Sequence, residues 1–186
     1  MRIVIATLTC VLAIIAFSSI AMCETALPVI SNAAFRLGFD PSTGSISRIT
    51  DVVRGRELLA AESVTPLWSI KFVDGTLIRP GEAKGFTWKP EDNVSRELVL
   101  KWYDFDRPDA PELAVVATVM LDDHEAVSRW RIEVTGLGSQ KVDSVSYPRI
   151  GSIKDRGGET LAVPYWIGEK TKFARQQLNP ATGTGK

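Results

Sequence analysis

Beyond the first twenty or so residues, apolar and polar positions alternate in short runs cut by Gly, Pro, Asp and Asn. No long stretch repeats its apolar residues at helical spacing. Phe35, Leu37 and Phe39 alternate, the turn Asp40-Pro41-Ser42-Thr43-Gly44 follows, and 45–53 returns as the partner strand of a hairpin. Trp68, Ile70 and Phe72 share one face of a strand ended by Asp74-Gly75, a strong hairpin signal, with a weaker strand over 76–79. Short strands are predicted at 85–89 and 97–103, and the segment 104–112, rich in Asp and Pro, reads as a polar loop. Leu113, Val115, Ala117, Val119 and Leu121 mark one face of the strongest strand. Ala114, Val116 and Met120 make its other face largely apolar, so this strand is expected at the centre of a sheet. Residues 122–125 turn the chain back into a strand with Trp130, Ile132 and Val134 inward, and Gly136-Leu137-Gly138 turns it again toward 141–147. A last short strand is expected over 159–163.

Strands at this spacing, each with one apolar face, need a second sheet to cover them. The predicted fold is therefore all-β, a two-sheet antiparallel β-sandwich. No internal repeat interrupts it.

The N-terminus has a different character. Arg2 precedes an almost unbroken apolar run from Ile3 to Phe17, then the small pair Ser18 and Ser19, in the order of a helical signal peptide. Cleavage after Ala21 or after Cys23 fits. An uncleaved anchor is the structural alternative, and Ile20-Ala21-Met22-Cys23 has the outline of a lipoprotein box with an oversized residue before the cysteine. The division expected is a signal peptide at 1–23, a sandwich domain at 24–173 and an irregular tail at 174–186 that begins a further domain. The product is expected to be secreted or periplasmic, with no membrane association after cleavage. Cys10 and Cys23 both fall in or beside the leader, which excludes an intrachain disulfide or thiolate metal site in the domain.

Of the 186 residues 45% are apolar and 24% charged, which suits a globular domain. Twenty-two Lys and Arg balance 22 Asp and Glu, so no basic excess points to nucleic acid. Candidate chemistry is sparse. A glycosidase needs two carboxylates facing each other across the scissile bond, whereas Asp122, Asp123 and Glu125 fall in a turn and Asp104, Asp106 and Asp109 in a solvated loop. His124 is the single histidine, short of a triad or a zinc site. Asp104 and Asp106 lack the glycine and terminal glutamate of a calcium loop. Gly183-Thr184-Gly185-Lys186 imitates a phosphate loop with Pro180 where its first glycine belongs. Asn93-Val94-Ser95 fits a glycosylation acceptor, relevant only in a eukaryotic secretory pathway. No catalytic residue, metal or cofactor is assigned.

Among the five tryptophans, Trp68, Trp102 and Trp130 are in phase with aliphatic residues and read as core. Trp88, at a strand end, and Trp166, in a loop, are freer to meet a ligand.

Three stretches carry a resemblance. They are 35–40 with 43–49 (FRLGFD and TGSISRI), 128–134 (SRWRIEV), and 147–150 with 161–168 (YPRI and LAVPYWIG). Together, over roughly 33–168, they resemble the N-terminal β-sandwich, similar in fold to galactose mutarotase, that precedes the catalytic barrel in large bacterial glycoside hydrolases. The resemblance implies a supersandwich-type accessory module that packs on a downstream barrel holding both catalytic carboxylates and lends a loop to the rim of its pocket. On that analogy Trp166 and Tyr165 would stack on a sugar, and Glu159 and Arg149 would bond its hydroxyls. The partners expected are a carbohydrate and that barrel. A structural or interaction domain with no ligand of its own is the second reading.

Overall fold

The computed structural model describes residues 27–60, 65–90, 96–123, 125–154, 160–163 and 169–172. The expected signal peptide at 1–23, His124, the candidate acceptor site at Asn93 and the expected tail at 174–186 lie outside these residues.

The alternation becomes strands where expected. The first sheet runs β1 (Val29–Ser31), β2 (Phe35–Phe39), β3 (Ile46–Asp51) and β4 (Arg56–Glu57), each antiparallel to the next. Next come β5 (Ser69–Phe72) and β6 (Leu77–Ile78), a 3-10 turn at Pro80–Glu82, then β7 (Gly85–Pro90), β8 (Glu97–Tyr103), β9 (Ala114–Leu121), β10 (Ser128–Thr135) and β11 (Val142–Ser146). β7 to β10 form a four-stranded antiparallel sheet in order β10-β9-β8-β7, so the strand with two apolar faces is internal, as its composition predicts. β11 pairs with β5, and β5 with β6. A separate hairpin joins β12 (Thr160–Val163) and β13 (Glu169–Lys172).

The sheets β1 to β4 and β11-β5-β6 run into one another through a single stretch of chain. After pairing with β5, that stretch bonds Arg149 N to Leu67 O at 2.8 Å. It then meets residues beyond β4, with Ala60 N to Ser152 O at 2.9 Å and Lys154 N to Leu58 O at 2.8 Å. Together they make the second layer of an all-β sandwich. Between the layers lie Ile30, Leu37, Phe39, Trp68, Ile70, Phe72, Leu98, Leu100, Trp102, Val115, Ala117 and Val119, all buried. Trp68 meets Trp102 edge to face with ring centroids 5.5 Å apart, and Trp102 Nε1 donates to Thr43 O at 2.9 Å, tying β8 to the β2–β3 turn.

Several details depart from expectation. Residues 52–55 are a turn rather than the end of a strand, and β1, β4 and β13 had no distinct signal in the sequence. The loop at 104–112 is not wholly polar: Phe105 and Ala110 are buried, and Phe105 stacks edge-on against Trp68. Trp130 is only half-buried and sits at the margin of the core.

The β2–β3 turn is held by Asp40, whose Oδ1 accepts from Ser42 N (2.9 Å), Ser42 Oγ (2.5 Å), Thr43 N (2.8 Å) and Thr43 Oγ1 (3.1 Å). The Ser42 hydroxyl, joined by the Ser42 and Thr43 amides and opposed by burial, holds this carboxyl below its ordinary 3.8. A depressed folded-state value means stability that is present above pH 3.8 and lost as pH falls through the lower value. Asp40→Ala is therefore expected to lower stability at pH 6 and to flatten its decline below pH 4, measured by urea unfolding across that range. A decline as steep as that of the parent would contradict this role.

Candidate functional site

Along β10 the side chains of Ser128, Trp130, Ile132 and Val134 point toward the core, yet all are only half-buried. Those of Arg129, Arg131, Glu133 and Thr135 are exposed on the other face. β10 ends its sheet, so its inward face is covered from one side only. Beside Trp130 this leaves a groove of about 460 Å³ between the layers, lined chiefly by Phe35, Leu37, Ile49, Leu58, Trp130 and Ile150, with Asp51, Arg54 and Ser128 as polar members. Val53, at its lip, is 72% exposed.

Local bonds fix the walls. Asn32 donates to Asp122 O (2.6 Å) and Glu125 O (3.3 Å), while its Oδ1 accepts from Ala34 N and Phe35 N, both at 2.9 Å. One amide thus clamps the β1–β2 turn to the β9–β10 turn at the end of the groove. Trp130 Nε1 donates to Ser128 Oγ at 2.8 Å, and its ring lies 6.1 Å from both Phe39 and Tyr147. Tyr147 Oη in turn donates to Arg131 O at 3.1 Å, and burial pushes its phenol well above the ordinary range.

The groove's polar groups are already engaged. Asp51 Oδ1 accepts from Arg54 N at 3.0 Å and Oδ2 pairs with Arg54 Nη1 at 3.1 Å. The Arg54 amide, with its guanidinium, outweighs desolvation and lowers the Asp51 carboxyl. Asp51 is the one carboxylate among the lining residues, so no second acid faces it across the groove and the lining does not provide a glycosidase pair. Among the described residues no three metal-ligating side chains come together, and no helix is long and apolar enough to cross a membrane.

Of the four residues expected to meet a sugar, the structure places Arg149 alone. It is half-buried in the second layer through its bond to Leu67 O, next to Ile150 of the groove, and does not itself line it. Glu159, Tyr165 and Trp166 lie outside the described residues. Phe35, Ile49 and Ile150 had no functional signal in the sequence, because nothing in a period-two pattern says which strand will end a sheet.

No family model and no curated protein matches the chain.

Proposed function

We propose that this chain is an exported, non-catalytic β-sandwich module of a carbohydrate-processing protein, and that it acts by packing the Trp130 groove and the half-covered face of β10 against a neighbouring domain. The observation that carries the reading is the contrast between the groove's apolar lining and its internally satisfied polar groups. A sugar needs unengaged donors and acceptors for its hydroxyls, whereas apolar side chains of another domain need only apolar surface to bury. Exposed Val127, Val145 and Ile153 extend the same character beyond the groove. The neighbour proposed is a catalytic barrel, a reading supported by the resemblance of the sequence to the sandwiches of large glycoside hydrolases.

The test is to express the chain with the in-frame sequence encoded downstream of Lys186, and to compare amide exchange of both forms at Phe35–Phe39, Ile46–Asp51 and Ser128–Thr135. Slower exchange in the longer protein, and an alternating strand and helix pattern in the added sequence, are expected. A stop codon at that point, or identical exchange, would remove the docking role.

A further inference from the structure

The segment 104–110, between β8 and β9, is held by side chains rather than by its backbone. Among the described residues its peptide groups meet the rest of the molecule through one hydrogen bond, Lys84 N to Asp104 O at 2.9 Å, while the bond from Ala110 N to Arg107 O closes a turn within the segment. What carries it inward is chiefly Phe105, 7% exposed, whose ring meets Trp68 edge to face with centroids 6.0 Å apart. A stretch with so few backbone bonds and one inserted ring belongs to the parts of a fold that open at low cost.

Two features work against the closed position. Asp104 has φ +58° and Asp106 φ +54°, so two of the three non-glycine residues with positive φ among those described flank this one ring. That conformation is disfavoured for any residue with a Cβ. Beneath the ring, Trp68 Nε1 is fully buried and finds no hydrogen-bond acceptor. A buried donor without a partner is penalised by its lost hydration. Both penalties disappear when Phe105 withdraws, since the aspartates relax and water reaches the indole.

The opposing force lies at the surface. The Arg107 guanidinium sits over the Phe72 ring at 4.9 Å, donates to Thr76 Oγ1 at 3.2 Å and pairs with Asp74 at 3.6 Å and Asp109 at 3.3 Å. Asp109 is also bonded by Gln140, and Lys84 Nζ pairs with Asp106 at 3.1 Å. Arg107 thereby ties the segment to the β5–β6 turn, and Asp109 ties it to the turn after β10.

We infer that 104–110 is a plug that swings out as a unit while both layers stay folded, latched from outside by Arg107 and uncovering Trp68 when it opens. The inference involves neither the Trp130 groove nor a neighbouring domain.

The experiment is hydrogen exchange of the intact chain followed by NMR in rising urea, with the Trp68 indole N–H read against the amides of Val115, Ala117 and Val119 in β9. After correction for intrinsic rates, the indole is expected to exchange at least about tenfold faster than those amides, and its rate to stay flat in low urea while theirs climbs. Arg107→Met, which keeps a long side chain on Phe72 but removes the ion pairs, is expected to speed the indole about five- to tenfold. Asp106→Gly should act in the other direction and slow it about two- to threefold, because glycine takes a positive φ without penalty. An indole rate that follows the β9 amides at every urea concentration would show that Trp68 is reached only by global unfolding, and would overturn the inference. An unchanged indole rate in Arg107→Met would overturn the latch. Should that variant fail to fold, the urea dependence of the parent decides.

Discussion

Trp102→Ala is expected to lower the unfolding free energy by about 3 to 5 kcal/mol, the usual cost of emptying a fully buried aromatic site. Three contacts go at once: the edge-to-face packing on Trp68, the stacking with Phe86 at 5.3 Å, and the indole bond to Thr43 O that anchors the β2–β3 turn. The turn is already tight, because a Cβ on Gly44 would come 2.5 Å from the Trp102 ring, so the two elements were shaped against each other. Trp102→Phe keeps most of the volume and should cost less; both variants lose the indole N–H, so their difference reports ring packing, while the loss that remains in Trp102→Phe includes the bond to Thr43 O. Urea unfolding of the three proteins decides it; a loss below about 1 kcal/mol for the alanine variant would mean the core sits elsewhere.

Gly136→Ala is the second large effect, expected at about 2 to 5 kcal/mol from two sources. Gly136 has φ +66°, a conformation side-chain-bearing residues adopt at a penalty, and its Cβ would run into the carbonyl of Glu112, just ahead of β9. Gly75 separates the two, because it has φ +88° with nothing within 4 Å of a Cβ. Gly75→Ala therefore carries only the backbone penalty. Equal losses in the two variants, measured by thermal unfolding, would show that the contact with Glu112 contributes nothing.

The fold was largely legible because burial in a sheet has a period of two, and Leu98 to Trp102, Val115 to Leu121 and Trp68 to Phe72 keep that period without interruption. The short strands were not legible. β1 has three residues and β4 two, too few for alternation to stand out, and both exist because a longer neighbour offers them hydrogen bonds. Phe105 was hidden by its neighbours, two aspartates whose positive φ values turn the backbone so that the ring enters the core while they face water. Trp130 shows the limit most clearly. Its phase with Ile132 and Val134 correctly gave the inward direction, but its burial depends on β10 ending the sheet, which is a fact of topology. The candidate sugar contacts were drawn mainly from a loop near the C-terminus, and the surfaces that the described residues offer instead are built from strands far apart in sequence.

The bond from Tyr147 to the carbonyl of Arg131 has a further meaning for how the molecule keeps to itself. A terminal strand presents unpaired peptide groups, to which any extended segment from another molecule can add and so begin a fibril. The phenol occupies one of those acceptors, and its ring packs edge-on against Trp130. A single aromatic side chain thereby takes up one rung of the template near its middle, so a strand adding there would first have to displace it.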